Sequence, residues 1–213
     1  HQESDGHWDV KKWEGGNVVK GNMLRSAKLK ANDISITGVA VLAFLGAGHT
    51  HKTGRFRDNV KRSVNWLISK QLPSGAFEHE GFGRSPRNGF QVYDHCIATL
   101  ALAEAYGMTK DPNLREPAQR GIDNLLKLQA GYGGWAHTHV KSTSVTGWAL
   151  MALKSAKIAG LRVDGAGFQG VNNWIDSVTV PRTGLVGYNR KGNIVWGKGY
   201  VMTAAGMVCK QFM

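Results

Sequence analysis

Two kinds of apolar segment alternate along the chain. The first is apolar all round: in "DISITGVAVLAFLGAG", Val39, Ala40, Val41, Leu42, Ala43, Phe44 and Leu45 leave no polar face. A helix of that kind is enclosed on every side. "DHCIATLALAEAYG" from Asp94, "STSVTGWALMALKSAKIAG" from Ser142 and "VMTAAGMVCKQFM" at the end repeat the type. The second kind is striped. In "FRDNVKRSVNWLISKQ", Phe56, Val60, Val64, Leu67 and Ile68 recur at helical spacing, while Arg57, Lys61, Arg62 and Lys70 take the other face. One side of such a helix meets water. "LREPAQRGIDNLLKLQ" and "FQGVNNWIDSV" are its later copies.

The alternation predicts an all-α array. Inner helices fall near 34–45, 94–106, 143–159 and 201–213, and outer helices near 56–71, 114–129 and 168–178. Asp33, Asp94 and Ser142 precede inner helices, where a short side-chain oxygen accepts the free amides of the first turn. Gly46, Gly107 and Gly160 stand where those helices stop. Small residues such as Gly38, Ala101 and Ala149 let inner helices approach closely. Inner helices side by side, with outer helices around them, form a ring.

A further signal punctuates the hairpins. "RSVNWLISKQLPSGAF" carries Arg62, Trp66, Leu67, Gln71, Gly75 and Phe77. "RGIDNLLKLQAGYGGW" repeats the spacing with Arg120, Leu126, Gln129, Gly133 and Trp135, Asn124 replacing the aromatic. Gln2, Gly6 and Trp8 look like the tail of another copy, and Trp174 with Thr179 in the Gln position is a decayed one. This pattern resembles the QW motif of the squalene and oxidosqualene cyclases, within the prenyltransferase and squalene oxidase repeat superfamily. The resemblance implies an α/α toroid over residues 1–213, built here from about three full hairpins and one extra inner helix. It also implies that the Gln caps the outer helix and lies near the Trp of the adjoining repeat, a structural tie rather than a catalytic group.

Charge and composition change this picture little. A net charge of +12 invites an acidic partner, but the basic residues are scattered and no nucleic-acid motif is present. Nucleic acid is therefore not an expected partner. No apolar run reaches the 18 or so residues that a membrane span needs. Cys96 and Cys209 read as small buried residues, and the His-Thr-His triples at His49–His51 and His137–His139 as solvated loops.

Candidate chemistry is sparse. A cyclase of the resembled superfamily protonates an alkene with a D-x-D-D acid, and ionising terpene enzymes use D-D-x-x-D; the sequence contains neither. Protein prenyltransferases of the same superfamily hold zinc with Asp-x-Cys and His, which here would require Asp94, Cys96 and His139. Ser142 and Gly199 occupy the places where the remaining ligand should stand, so no metal and no cofactor is expected. Asp33, Asp94, His95, Cys96 and Ser142, at the starts of inner helices, are the candidates for facing a central cavity. The absent acid motifs point to a non-catalytic module that binds a partner protein or an apolar small molecule within a larger protein. The alternative is a terpene cyclase or protein-prenyltransferase-like component acting on isoprenoids. Because the chain starts in mid-motif at Gln2 and stops in mid-repeat at Met213, the rest of a longer chain or another subunit is expected to complete the ring.

Overall fold

Fully apolar and striped segments become inner and outer helices. The computed structural model describes residues 1–9, 33–77, 90–129, 131, 133–137, 140–193 and 199–213. The inner helices are α1 (Asp33–Gly46), α3 (Phe90–Thr109), α5 (Thr143–Ile158) and α7 (Tyr200–Phe212). The outer helices are α2 (Arg57–Ser69), α4 (Pro112–Lys127) and α6 (Gly165–Val178). A short antiparallel hairpin, β1 (Ala136–His137) with β2 (Val140–Lys141), pairs Ala136 with Lys141 just before α5. The fold is all-α: three inner–outer hairpins plus a lone inner helix form an arc of an α/α toroid among the described residues.

The inner helices pack in chain order, α1 on α3, α3 on α5 and α5 on α7, while α2, α4 and α6 cover α1, α3 and α5. Enclosure is complete only in the middle. Every residue of α3 from Asp94 to Ala103 is buried. The two end helices depart from the expectation of burial on every side, because each is flanked by an inner neighbour on one side. Ile36 and Val39 of α1 are 41% and 44% exposed, and Val201 and Met207 of α7 are 57% and 68% exposed.

Helix boundaries hold two further corrections. Asp94 does not cap α3, because "FQVY" extends the helix back to Phe90 and puts Asp94 in its second turn. Gly107 does not end α3 either; the helix runs to Thr109 and turns at Lys110, whose φ is 50°. Lys110 Nζ then donates to the Ala159 carbonyl at the end of α5 (2.7 Å). Ser142 does cap α5, accepting from the Val145 amide (3.5 Å). Asp111 and Asp164 cap α4 and α6 in the same way.

The loops leading out of the outer helices repeat one geometry. Gln2 Nε2 donates to the Gly6 carbonyl in its own loop (3.0 Å) and to the Asn59 carbonyl in α2 (2.8 Å). Gln71 does the same with Gly75 (3.3 Å) and Pro117 of α4 (2.9 Å). Gln129 bonds Gly133 and Gly167 of α6, both at 2.9 Å. Each glutamine thus clasps its loop to the next outer helix. Arg62 and Arg120 donate to the side-chain oxygens of Gln2 and Gln71, each at 2.9 Å. In the third clasp Gly170 stands where these arginines stand, three residues after the bonded carbonyl. At the end of α6, Thr179 takes the Gln position and pairs with Val186 through the backbone.

Gly6, Gly75 and Gly133 have φ of 106°, 87° and 91°, and their α-carbons press against the next outer helix. A β-carbon on Gly75 would lie 2.0 Å from the Arg120 carbonyl oxygen, and one on Gly133 1.8 Å from that of Gly170. No other residue fits there. Outer-helix tryptophans close two of the clasps, where His7 stacks on Trp66 (centroids 5.2 Å apart) and Gly134 packs close to the Trp174 ring; in the clasp on α4, Asn124 stands there and donates to the Ser74 carbonyl (3.2 Å).

Behind the clasps, the loop meets the inner helix through threonine. The amides of Trp8, Trp135 and Val186 donate to Thr37 (3.0 Å), Thr146 (3.2 Å) and Thr203 (3.1 Å). The indole of Trp135, fully buried, donates to the Leu125 carbonyl (2.8 Å). On α3 the equivalent place is Ala98, four residues after Asp94.

Candidate functional site

A cavity of about 410 Å³ opens between the inner helices, within the size range of small-molecule sites. All four contribute: Leu42 and Leu45 from α1, Leu100, Glu104 and Met108 from α3, Met151, Lys154, Ser155 and Ile158 from α5, and Phe212 from α7. Every one of these lies in the C-terminal half of its helix, so the inner helices run in the same direction and end around the same mouth. Leu45 and Leu100 are buried and form the deep wall, whereas Met108 and Ile158 are exposed at the rim.

Two described lining residues are charged, Glu104 and Lys154. Glu104 stands in the C-terminal half of α3, one turn from Leu100 on one side and from Met108 on the other. The Ser155 hydroxyl of α5 donates to its carboxylate and holds it against the wall. A Lys side chain lays its methylenes along apolar surface and carries its ammonium outward.

At the opposite end of the same helices stand the residues singled out from the sequence. Asp94 is buried, and Ser35 of α1 hydrogen-bonds its carboxyl. Burial raises Asp94 to about 7; the Ser35 bond opposes this, and the charge of Asp33 adds to it. His95 Nε2 meets the Gly121 carbonyl of α4 (3.1 Å), and its ring packs on Phe77. Cys96 is fully buried, with its thiol pushed far up, chiefly by burial and then by Asp94. Ser142 is spent on its cap and on Ser144 (3.3 Å), and Ser144 bonds the Tyr93 hydroxyl (2.5 Å). The structure therefore brings Asp33 and Asp94 together and turns His95 away from them. None of these five residues lines the 410 Å³ cavity.

Among the described residues no cluster of three or more His, Cys, Asp or Glu is placed to hold a metal. His139, the third residue of the zinc reading, lies outside the described residues. His51 is not a solvated loop residue. Its Nε2 sits 2.9 Å from Asp111, and this bond, ahead of the Asn113 amide, lowers Asp111 to about 2. Among the described residues no helix is long and apolar enough to cross a membrane.

Sequence reasoning overlooked Glu104. The signal was present, since Glu104 is an acid deep inside an otherwise apolar stretch of the inner segment, four residues from an apolar neighbour in each direction.

No family model matches the chain. Residues of this protein are 26% identical over 129 positions to drimenyl diphosphate synthase of Streptomyces showdoensis, covering 60% of this chain and 22% of that protein. The solved structure of ent-copalyl diphosphate synthase from Streptomyces platensis superposes with a TM-score of 0.55 at 19% identity, over 84% of this chain and 33% of that one. A polysaccharide lyase superposes with a TM-score of 0.57 at 13% identity, over 85% of this chain and 60% of the lyase. The chain thus spans about a fifth of the drimenyl diphosphate synthase and a third of the copalyl enzyme. One architecture accompanies two unrelated chemistries in these neighbours, so the likeness establishes the fold and leaves function to the site. The fold is the α/α architecture of terpenoid-cyclase-like proteins.

Proposed function

We propose that this chain is a helical domain of a terpenoid-cyclase-like enzyme, with the cavity between its inner helices holding the hydrocarbon part of an isoprenoid. One observation carries the reading: similarity to a drimenyl diphosphate synthase falls on a chain whose four inner helices wall an apolar cavity. Cyclising an isoprenoid requires apolar walls that fold the chain and keep water from the cationic skeleton. Leu42, Leu45, Leu100, Met151 and Phe212 supply such walls. The exposed apolar faces of α1 and α7 are where further hairpins, from the same polypeptide or another subunit, would extend the arc.

The test is incubation with farnesyl diphosphate, geranylgeranyl diphosphate and squalene, with products read by gas chromatography and mass spectrometry. A cyclic product from at least one substrate is expected. Binding without turnover would favour a non-catalytic isoprenoid-binding module, which the absence of D-x-D-D and D-D-x-x-D from the sequence favours. Neither binding nor product would overturn the proposal.

A further inference from the structure

We infer that the outer side of the arc carries a second binding site, a polar cleft between α4 and the loop joining α5 to α6, which takes phosphate-type oxyanions through Arg115 and Arg162. The inference is independent of the isoprenoid reading, because the cleft shares no lining residue with the cavity between the inner helices. It encloses about 390 Å³, lined by Pro112, Arg115, Glu116 and Gln119 of α4 and by Arg162 of the loop. Two guanidinium groups thus line one small space. Like charges so placed repel each other, and an anion between them removes that cost.

The neighbouring acids leave this charge largely uncompensated. Arg115 makes no hydrogen bond or ion pair among the described residues. Glu116 pairs instead with Arg120, one turn along α4 (3.8 Å). Asp123 lies 3.9 Å from the Arg162 guanidinium, but its other oxygen accepts from Gln119 (2.8 Å). The repeat sharpens the contrast. Arg57 holds the matching place on α2, five residues before Arg62 as Arg115 is before Arg120, and there Asp58 pairs with it (3.1 Å). On α6 the place belongs to Gly165.

Gln119 builds the two arginines into one site. Its side chain is buried and clamps the backbone of Arg162: Oε1 accepts from the Arg162 amide (2.9 Å), and Nε2 donates to the Arg162 carbonyl (3.0 Å). The loop is thereby anchored on α4, and the cleft has one arginine from each wall. Both side chains reach solvent, which leaves the cleft open to a dissolved ligand. A guanidinium fork grips two oxygens at once. A planar carboxylate satisfies one fork, whereas a tetrahedral phosphate offers oxygens to both walls. The cleft is larger than inorganic phosphate and leaves room for the alcohol half of a phosphate ester.

The experiment is calorimetric titration of inorganic phosphate, glycerol 3-phosphate and acetate into the wild type, Arg115→Gln, Arg162→Gln and Arg57→Gln, in a mildly alkaline, low-salt buffer containing no other oxyanion. Thermal melting checks that each variant is folded. The wild type should bind at least one of the two phosphates about tenfold or more tighter than acetate. Arg115→Gln and Arg162→Gln should each weaken that binding by about tenfold, the loss expected for hydrogen bonds to a charged group, while Arg57→Gln should bind like the wild type. Tighter binding of glycerol 3-phosphate would support the site as one for phosphate esters, and tighter binding of inorganic phosphate as one for the free ion. No phosphate binding by the wild type, acetate binding as tight as phosphate, or wild-type affinity in Arg115→Gln and Arg162→Gln would overturn the inference. An equal loss in Arg57→Gln would reduce the effect to net charge and overturn it as well.

Discussion

The loops on the outer side of the arc are near copies of one another, and the inner walls are not. Gln2, Gln71 and Gln129 make the same pair of bonds to the same two kinds of carbonyl. The inner helices share their positions but not their side chains. Where α1, α5 and α7 offer Thr37, Thr146 and Thr203 to a loop amide, α3 offers Ala98. Only α3 places Asp94 near one end and Glu104 near the other. Repetition marks what every hairpin needs in order to stack on its neighbour. Departure from the repeat marks what one position does alone, and the departures gather on α3.

Substitutions can break this division, starting with the largest expected effect. Trp135 is fully buried with its indole bonded to Leu125, so Trp135→Ala should lose roughly 3–5 kcal/mol in chemical denaturation. An unchanged denaturation midpoint would remove Trp135 from the structural half of the comparison.

Asp94 tests the other half. Its folded pKa is raised, so the folded protein binds this proton more tightly than the unfolded chain. The resulting stability is complete below the ordinary value of 3.8 and is lost as pH rises to about 7. The titratable groups facing Asp94 are Asp33 and Cys96. Asp94→Asn abolishes the titration. Its stability relative to the wild type should rise by on the order of 1 kcal/mol per pH unit across that window. Parallel stability–pH curves would contradict the burial of an acid at this place.

The clasps give smaller numbers. Gly75→Ala forces a β-carbon onto the Arg120 carbonyl at a φ of 87° and should destabilise by roughly 1–3 kcal/mol. Gln71→Ala should cost about 1 kcal/mol more than Gln129→Ala, because Gln71 accepts a bond from Arg120 whereas Gly170 stands at the matching place beside Gln129. Equal losses would mean that Arg120 adds nothing to its clasp. At the small end stands Asp111, whose pKa is lowered by His51. Its contribution is present above 3.8 and fades as pH falls towards about 2, so His51→Gln should flatten the acid limb of the stability curve there.

The structural half was legible because it repeats. Identical residue types at identical offsets showed where hairpins begin and end, whereas the close approach of Gly6, Gly75 and Gly133 to the next outer helix, with φ of 106°, 87° and 91°, is seen only in the structure. The loss of arginine at Gly170 was not legible, since which outer helix each glutamine reaches depends on packing between hairpins. Asp94 was read as a cap because an acid before an apolar run usually is one. The four residues before it are themselves helical, which moved it to an inward-facing turn beside Ser35. The cavity was hidden for a related reason. Its residues come from four segments between Leu42 and Phe212, and only the parallel stacking of the inner helices brings them to one mouth.

The most direct measurement is equilibrium binding of farnesol, a neutral isoprenoid, to the wild type, Gln71→Ala and Met151→Trp at a temperature where all three are folded. Met151 lines the cavity, whereas Gln71 clasps a loop on the outer side. The wild type and Gln71→Ala should bind alike although their melting temperatures differ, and the filled cavity of Met151→Trp should lose the ligand. Wild-type affinity in Met151→Trp would contradict the assignment of the inner-helix cavity as the isoprenoid site.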